Sequence, residues 1–208
     1  MIMLTLNEDK TLTAGLDIIL ASLLMVVAYI VFRRIVRRDY ATRGRLSKFS
    51  SGLQLMVFIG FFSFGYLFNP PEWIYFWMVG IAESPGLYLA GLLVICIGFL
   101  VAFGTMFWFG IGRAFGVHLD GLKKAGPYKL SRNPQVIGGY LLVTGISLQW
   151  PSLYTIGWIL LYAIITYWMI ITEEEYLLRI FGEEYKEYCS DVPRYLFIKR
   201  RGKGMASE

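Results

Sequence analysis

From Asn133 to Thr172 the chain runs for 40 residues without one Asp, Glu, Lys or Arg. A bilayer core is about 30 Å thick and is crossed by roughly 20 mostly apolar residues rising about 1.5 Å each. The run is too long for one crossing and right for two. Gln149-Trp150-Pro151-Ser152 lies near its middle and supplies the turn of a tight antiparallel hairpin. Two more uncharged runs, Phe49–Pro71 and Pro85–Gly112, add crossing lengths, and the apolar stretch from about Ala14 to Ile35 adds another. With 56% of its 208 residues hydrophobic and only 17% charged, the chain lies outside the range of ordinary soluble domains. The fold class expected is all-α: a polytopic membrane helix bundle of about five transmembrane helices, followed by a C-terminal amphipathic cytoplasmic helix.

The boundaries follow from charge and proline. Asp17 lies near one end of the first span, and Arg33 and Arg34 close the other. Asn69-Pro70-Pro71 ends the second span, because consecutive prolines break a helix. The short aromatic stretch Trp73–Ala82, bounded by Glu72 and Glu83, reads as an interfacial segment, since Trp and Tyr favour the headgroup level. The third span, closed by Arg113, is rich in small residues (Gly91, Gly98, Gly104), which allow close helix packing in lipid. No basic n-region opens the chain and no small-residue cleavage site follows the first apolar run, so no signal peptide is expected. The chain is expected to form a single membrane domain over 1–208, with three N-terminal spans and a basic loop in 1–112 and a ligand-binding half in 113–208.

Of the 20 basic residues, only Lys10 falls on the side opposite to the others. The rest gather between the first two spans, between Arg113 and Arg132, and after Thr172. The positive-inside rule then places the N-terminus outside and the C-terminus in the cytoplasm. The net charge of +5 reads as anchoring against anionic membrane lipids and not as nucleic-acid binding. Cys96 lies in a span and Cys189 in a cytoplasmic segment, so no disulfide framework or metal site is expected.

Two polar clusters flank the hairpin. Before it stands GPYKLSRNP, Gly126 to Pro134. Pro134 suits the first helical turn, where its missing N–H would be unpaired anyway. Arg132 beside a helix N-terminus then suits a carboxylate or phosphate, or else simply forms a basic loop that orients the helix. After the hairpin come Glu173, Glu174 and Glu175. Anionic headgroups repel carboxylates, so one or two of these are expected to turn inward. Leu177, Leu178, Phe181, Tyr185 and Tyr188 follow at three- and four-residue spacing, with a possible break at Gly182. That helix either lies solvated on the membrane or caps the cytoplasmic mouth of the bundle. Helices in a hairpin are neighbours, so both clusters fall at one end. A pocket there would carry a cation and helix-end N–H groups on one side, carboxylates on the other, and Tyr128, Tyr176 or Tyr185 above.

GPYKLSRNP, the hairpin, EEEYLLRIFGEEYKEY and VPRY together resemble the isoprenylcysteine carboxyl methyltransferases and their relatives, and more loosely the phospholipid methyltransferases. The resemblance covers roughly Gly110 to Tyr195. It implies a membrane-embedded methyltransferase that uses S-adenosyl-L-methionine, with the cofactor between the last spans and the C-terminal helix. It implies that Gly126, Pro127, Tyr128, Arg132, Asn133, Pro134, Glu173 and Glu174 bind the cofactor, with Arg132 and Asn133 also catalytic. His118, the sole histidine, lies in a loop that would line the cofactor site or stand by. Gly110-Ile111-Gly112 resembles a Gly-x-Gly of the phospholipid enzymes. Asn133 stands where the prenylcysteine enzymes carry histidine, and asparagine is no base near neutral pH. Val136 replaces a frequent tyrosine.

The implied acceptor is a lipophilic molecule, a prenylcysteine-like carboxylate or a lipid amine. The lack of a good base leans towards a carboxylate or an already methylated amine. Two alternatives remain: an NADPH-dependent membrane reductase of the sterol reductase type, whose tails the Tyr188-Cys189 and Val192–Tyr195 stretches resemble, and a non-catalytic membrane protein that keeps the fold.

Overall fold

The computed structural model of the chain describes residues 2–68, 84–110, 121–149, 151 and 153–196. Among them the ordered elements are helical: α1 (Ile2–Tyr29), a π-helical segment (Ile30–Val36), α2 (Arg37–Arg43), α3 (Lys48–Phe68), α4 (Pro85–Phe109), a 3-10 turn (Gly126–Lys129), α5 (Pro134–Gln149) and α6 (Leu153–Asp191). Three helical stretches are long and apolar enough to cross a membrane: Gly15–Arg43, Pro85–Trp108 and Tyr154–Asp191. α1 begins well before Ala14, where the apolar run starts. The expected interfacial segment Trp73–Ala82 and the Asn69-Pro70-Pro71 stop lie outside the described residues.

Glycine sets the closest packing. A Cβ on Gly91 would come within 2.5 Å of the Gly145 carbonyl oxygen, and one on Gly98 within 2.7 Å of the Leu142 nitrogen. From the other side, a Cβ on Gly138 would meet the Ala102 backbone at 2.5 Å. α4 and α5 therefore touch backbone to backbone, as small-residue pairs permit where no hydrophobic effect drives helices together in lipid. Gly104, the last glycine of α4, faces open space.

The main core lies between α1, α3 and α6. Phe32, Phe61, Ile165 and Ile170 are fully buried in it. Phe61 stacks on Trp158 with centroids 5.1 Å apart, and the Trp158 indole N–H donates to the Phe61 carbonyl at 3.1 Å. Outward from this core, Leu23, Leu93, Leu100 and Leu160 stand exposed, the pattern of a bundle whose solvent is hydrocarbon.

The π-helical turn occurs where α1 meets its arginines, and such wide turns mark functional or strained places in helices. Within it, Arg33 reaches across to α6. Asp39 then stitches α2 to the start of α3: its carboxylate accepts from the Ser47 N–H at 2.9 Å and from the Ser47 and Ser50 hydroxyls.

α6 bends at Gly182, whose φ of 49° and ψ of −119° lie outside the helical region. Side-chain-bearing residues avoid that conformation. Beyond the bend the chain folds back so that Tyr185, Tyr188 and Val192 bury against Leu122, Leu177 and Phe181. The Tyr188 hydroxyl donates to the Tyr128 carbonyl at 2.7 Å, which ties this last leg to the 3-10 turn.

Candidate functional site

Three consecutive residues on an α-helix point about 100° apart, so a run of three carboxylates cannot share one task. Glu175 turns to the first helices, accepting from Arg33 Nη2 at 2.9 Å and from Arg37 Nε at 2.8 Å. Arg33 also donates to the Thr172 hydroxyl at 3.1 Å. Glu174 turns towards the hairpin entrance and the tail. It accepts from Arg132 Nη1 at 2.9 Å and, in a two-pronged contact, from Arg194 Nε at 3.0 Å and Nη2 at 2.5 Å. Glu173 lines a cavity and is exposed to it. Among the described residues no hydrogen bond or ion pair holds it.

The entrance to α5 is built to face the tail. Pro134 opens the helix, and the Asn133 N–H donates to the Ser131 hydroxyl at 3.0 Å. That hydroxyl donates in turn to the Arg194 carbonyl at 3.1 Å, which also accepts from Asn133 Nδ2 at 3.1 Å. The Arg132 N–H donates to the Pro193 carbonyl at 3.0 Å. Three polar contacts thus pin residues 131–133 to Pro193 and Arg194 and fix the direction of the Arg132 side chain. Its Nη1 reaches both Glu174 and, at 2.8 Å, Cys189 Sγ, while its Nε is buried with no hydrogen-bond partner among the described residues. A buried guanidinium N–H with nothing to bond is rare.

Gly126 and Pro127 form the turn behind this wall. Gly126 has a φ of 60°, and a Cβ there would run into the Trp108 ring at 2.7 Å. Glycine is required on both counts. Pro127 starts the 3-10 turn, and its carbonyl accepts from Leu130 and Ser131.

The cavity encloses about 140 Å³. Of the residues singled out by sequence, Tyr128, Arg132, Asn133, Pro134, Glu173 and Glu174 line it, as do Tyr176 and Tyr185. Gly126 and Pro127 do not, and act through the turn. His118, Ile111 and Gly112 lie outside the described residues. Burial, then the charge of Glu173, pushes the Tyr128 hydroxyl up, so it remains protonated at neutral pH. The hydrogen bond to Glu174 raises Arg194 further above its ordinary value. Tyr40, stacked on Tyr176 with centroids 4.1 Å apart, adds another ring.

Sequence reasoning missed several contributors. Arg194 was visible only as part of VPRY, and Cys189 only as a thiol without a pair. Tyr40 and Gln54 enter from the first half of the chain, which the motifs do not cover. Gln135, next to Pro134 in the motif, lines the cavity with its Nε2 buried and unpartnered.

A second, larger cavity of about 760 Å³ runs between α3, α4, α5 and α6. Its walls are Phe58, Phe62, Phe99, Phe103, Leu142 and other apolar groups, and it shares Gln54, Gln135, Val136 and Met169 with the polar cavity. A polar chamber therefore abuts a groove lined by hydrocarbon, with two glutamines at the junction. Chemically this suits two ligands, one polar with both charges and one apolar, meeting end to end.

No curated protein and no solved structure matches the chain. Over residues 86–184, which contain α4, the Gly126–Lys129 turn, α5 and the part of α6 that carries the glutamates, the chain matches the family model of the phospholipid methyltransferases, in agreement with the family its motifs resemble.

Proposed function

We propose that the chain transfers a methyl group from S-adenosylmethionine to a lipophilic acceptor at the cytoplasmic face of the membrane. The observation that carries this reading is the junction of the two cavities: a carboxylate that no described residue engages and an arginine on the polar side, and an aromatic and aliphatic groove on the other. The donor set fits the cofactor. Its ammonium and ribose hydroxyls call for an acceptor such as Glu173, its carboxylate for a cation such as Arg132, and its positive sulfur for the ring faces of Tyr40, Tyr128 and Tyr185. When bound, the cofactor supplies a methyl group on a sulfonium, already activated by its charge.

The residues of the chain then have to align and dry the site more than to activate anything. Glu173 binds. Glu174, engaged by two arginines, positions Arg132 and Arg194 from behind. Asn133 fixes the tail over the site through the Arg194 carbonyl, and Gly126, Pro127 and Pro134 shape the loop. Gln54 and Gln135 stand where the acceptor group would enter. Neither is a base, which favours a carboxylate or an already methylated amine.

The reading extends to the whole chain as one membrane domain. Five spans, counting α3 and the shorter α5 with the three long stretches, put the N-terminus outside and the site on the cytoplasmic side. The last leg of α6 caps the site there. The deciding experiment is equilibrium binding of the detergent-purified full chain to labelled S-adenosylmethionine and to NADPH, followed by label transfer into a lipid extract. Binding of the first and label in the lipid fraction is the expected result. Binding of NADPH, or of neither, sinks the proposal.

A further inference from the structure

Among its described residues the apolar groove carries no charged side chain, and only Gln54, Gln135, Gln149 and Tyr162 are polar. Three of these have no donor to offer a ligand. Both amide atoms of Gln149 are sealed in the α4–α5 seam, where a Cβ on Gly91 would meet its Cγ at 2.7 Å. The donor nitrogen of Gln135 is sealed as well. The Tyr162 hydroxyl donates to the Val136 carbonyl at 3.4 Å.

Gln54 of α3 is the exception. It is half-buried and lines both the polar cavity and the groove, so it stands at their junction. Its amide makes no hydrogen bond with the chain and is not among the groups sealed from the cavities. A leucine there would cost less in a membrane bundle, and a polar group kept in such a place marks a ligand site. Phe58 and Phe62 follow Gln54 at intervals of four down the same face of α3 and continue the groove. On α5 the groove runs from Gln135 to Ile146, 11 residues or about 17 Å at about 1.5 Å per residue. That is close to half of a bilayer core about 30 Å thick, the reach of one lipid chain.

We propose that the groove holds one hydrocarbon chain ending in a carboxylate, and that Gln54 positions this carboxylate at the junction by donating from its amide nitrogen. This rests on the reading of the site as one where a lipophilic acceptor receives a methyl group, and it narrows that acceptor. A carboxylate has lone pairs to spare, so one oxygen accepts from Gln54 while the other attacks. The new oxygen–carbon bond forms as the carbon–sulfur bond breaks, and that electron pair stays on sulfur. A carboxylate and a sulfonium become an ester and a thioether, and no proton is released. Gln54, Gln135, Val136 and Met169, which line both cavities, include no group that could take one. A tertiary amine has a single lone pair, which a donor at Gln54 would block, and a primary or secondary amine would leave a proton with no base at the junction.

The test uses no cofactor, so its outcome is separate from that of the methyl-transfer assay. The full chain in phosphatidylcholine nanodiscs is loaded with diphenylhexatriene, an apolar fluorescent probe, and energy transfer from the tryptophans reports its displacement. Palmitate is expected to displace the probe about tenfold more tightly than hexadecane, about 1.4 kcal/mol. Gln54→Leu is expected to bring palmitate down to the level of hexadecane and to leave hexadecane unchanged, and Gln54→Met serves if the leucine variant does not fold. A merely structural role for Gln54 would weaken both ligands alike, and that result overturns the proposal. So do equal affinities in the unsubstituted protein, a palmitate preference that survives substitution, or failure of palmitate to displace the probe. Loss of the preference in a chain that transfers no methyl group supports the carboxylate site and sinks only the enzymatic reading.

Discussion

At the scale of single residues, neighbouring glutamates of one helix divide into structural and functional roles according to what faces them. Glu174 sits between Arg132 and Arg194, with 17% of its side chain exposed. Removing its charge leaves two guanidinium groups confronting each other in a half-dry site, and losing one partner of a buried pair costs about 3 kcal/mol or more. Glu174→Gln is therefore expected to lower the melting temperature in detergent with or without cofactor. Glu173 supports no such network. Glu173→Gln is expected to leave melting unchanged and to weaken S-adenosylmethionine binding by about 1.5–3 kcal/mol, the worth of a charge-assisted hydrogen bond. Calorimetry on the pair separates the roles, and equal affinity in Glu173→Gln would reduce that residue to a solvated helix position. Arg132 joins both proposed roles, because its Nη1 is committed to Glu174 and Cys189 while the residue also lines the cavity. Lysine keeps the charge that counts for insertion but has no planar fork and no Nε–H. Arg132→Lys is expected to reach the membrane at normal yield and lose most label transfer to lipid. Near-normal turnover would make Arg132 a topology anchor and nothing more.

At the scale of elements, what was legible in the sequence is what depends on neighbours along the chain. The hairpin, the proline at the mouth of α5 and the bend at Gly182 all follow from local rules of charge, proline and glycine. The glycines of α4 announced close packing, but not which partner they meet or that Gly104 meets none. The three glutamates were visible as an anomaly beside lipid. Their separate duties were not, because each is decided by an element remote in sequence: Arg33 and Arg37 for Glu175, Arg194 for Glu174. Gln149 was read as part of a turn, although its spacing from Gln135 already put both on one stripe. The α4–α5 contact gives a test of this local-versus-remote distinction. Gly98→Leu forces apart two backbones in contact and is expected to cost about 3 kcal/mol, the upper end of ordinary overpacking. Gly104→Leu, the same change on the same helix, meets nothing and is expected to stay within about 0.5 kcal/mol. Melting of both variants in one detergent checks the pair, and equal losses would mean that α4 and α5 do not pack through glycine.

At the scale of the whole molecule, the two ends of the bundle differ in character. One end gathers Arg33, Arg37, Arg132, Arg194, the three glutamates and the Asp39 stitch, with ion pairs that tie the π-helical segment, α2, the α5 entrance and the tail to α6. The other end carries the buried Asp17 and the neutral amide of Gln149. Positive side chains resist transfer across a membrane during insertion, whereas acids weigh little, so the basic end is the one expected in the cytoplasm. The same end holds the polar cavity, and the cofactor proposed for it, charged and water-soluble, would reach it from that side without crossing lipid. The proposed orientation and the proposed function thus constrain each other: a site turned outward would face a compartment without that cofactor. Green fluorescent protein fused after Glu208 is expected to fluoresce, and alkaline phosphatase at the same point to remain inactive. The opposite pattern would invert the bundle, and with it the route by which S-adenosylmethionine is proposed to enter, even if every contact around Glu173 and Arg132 were correct.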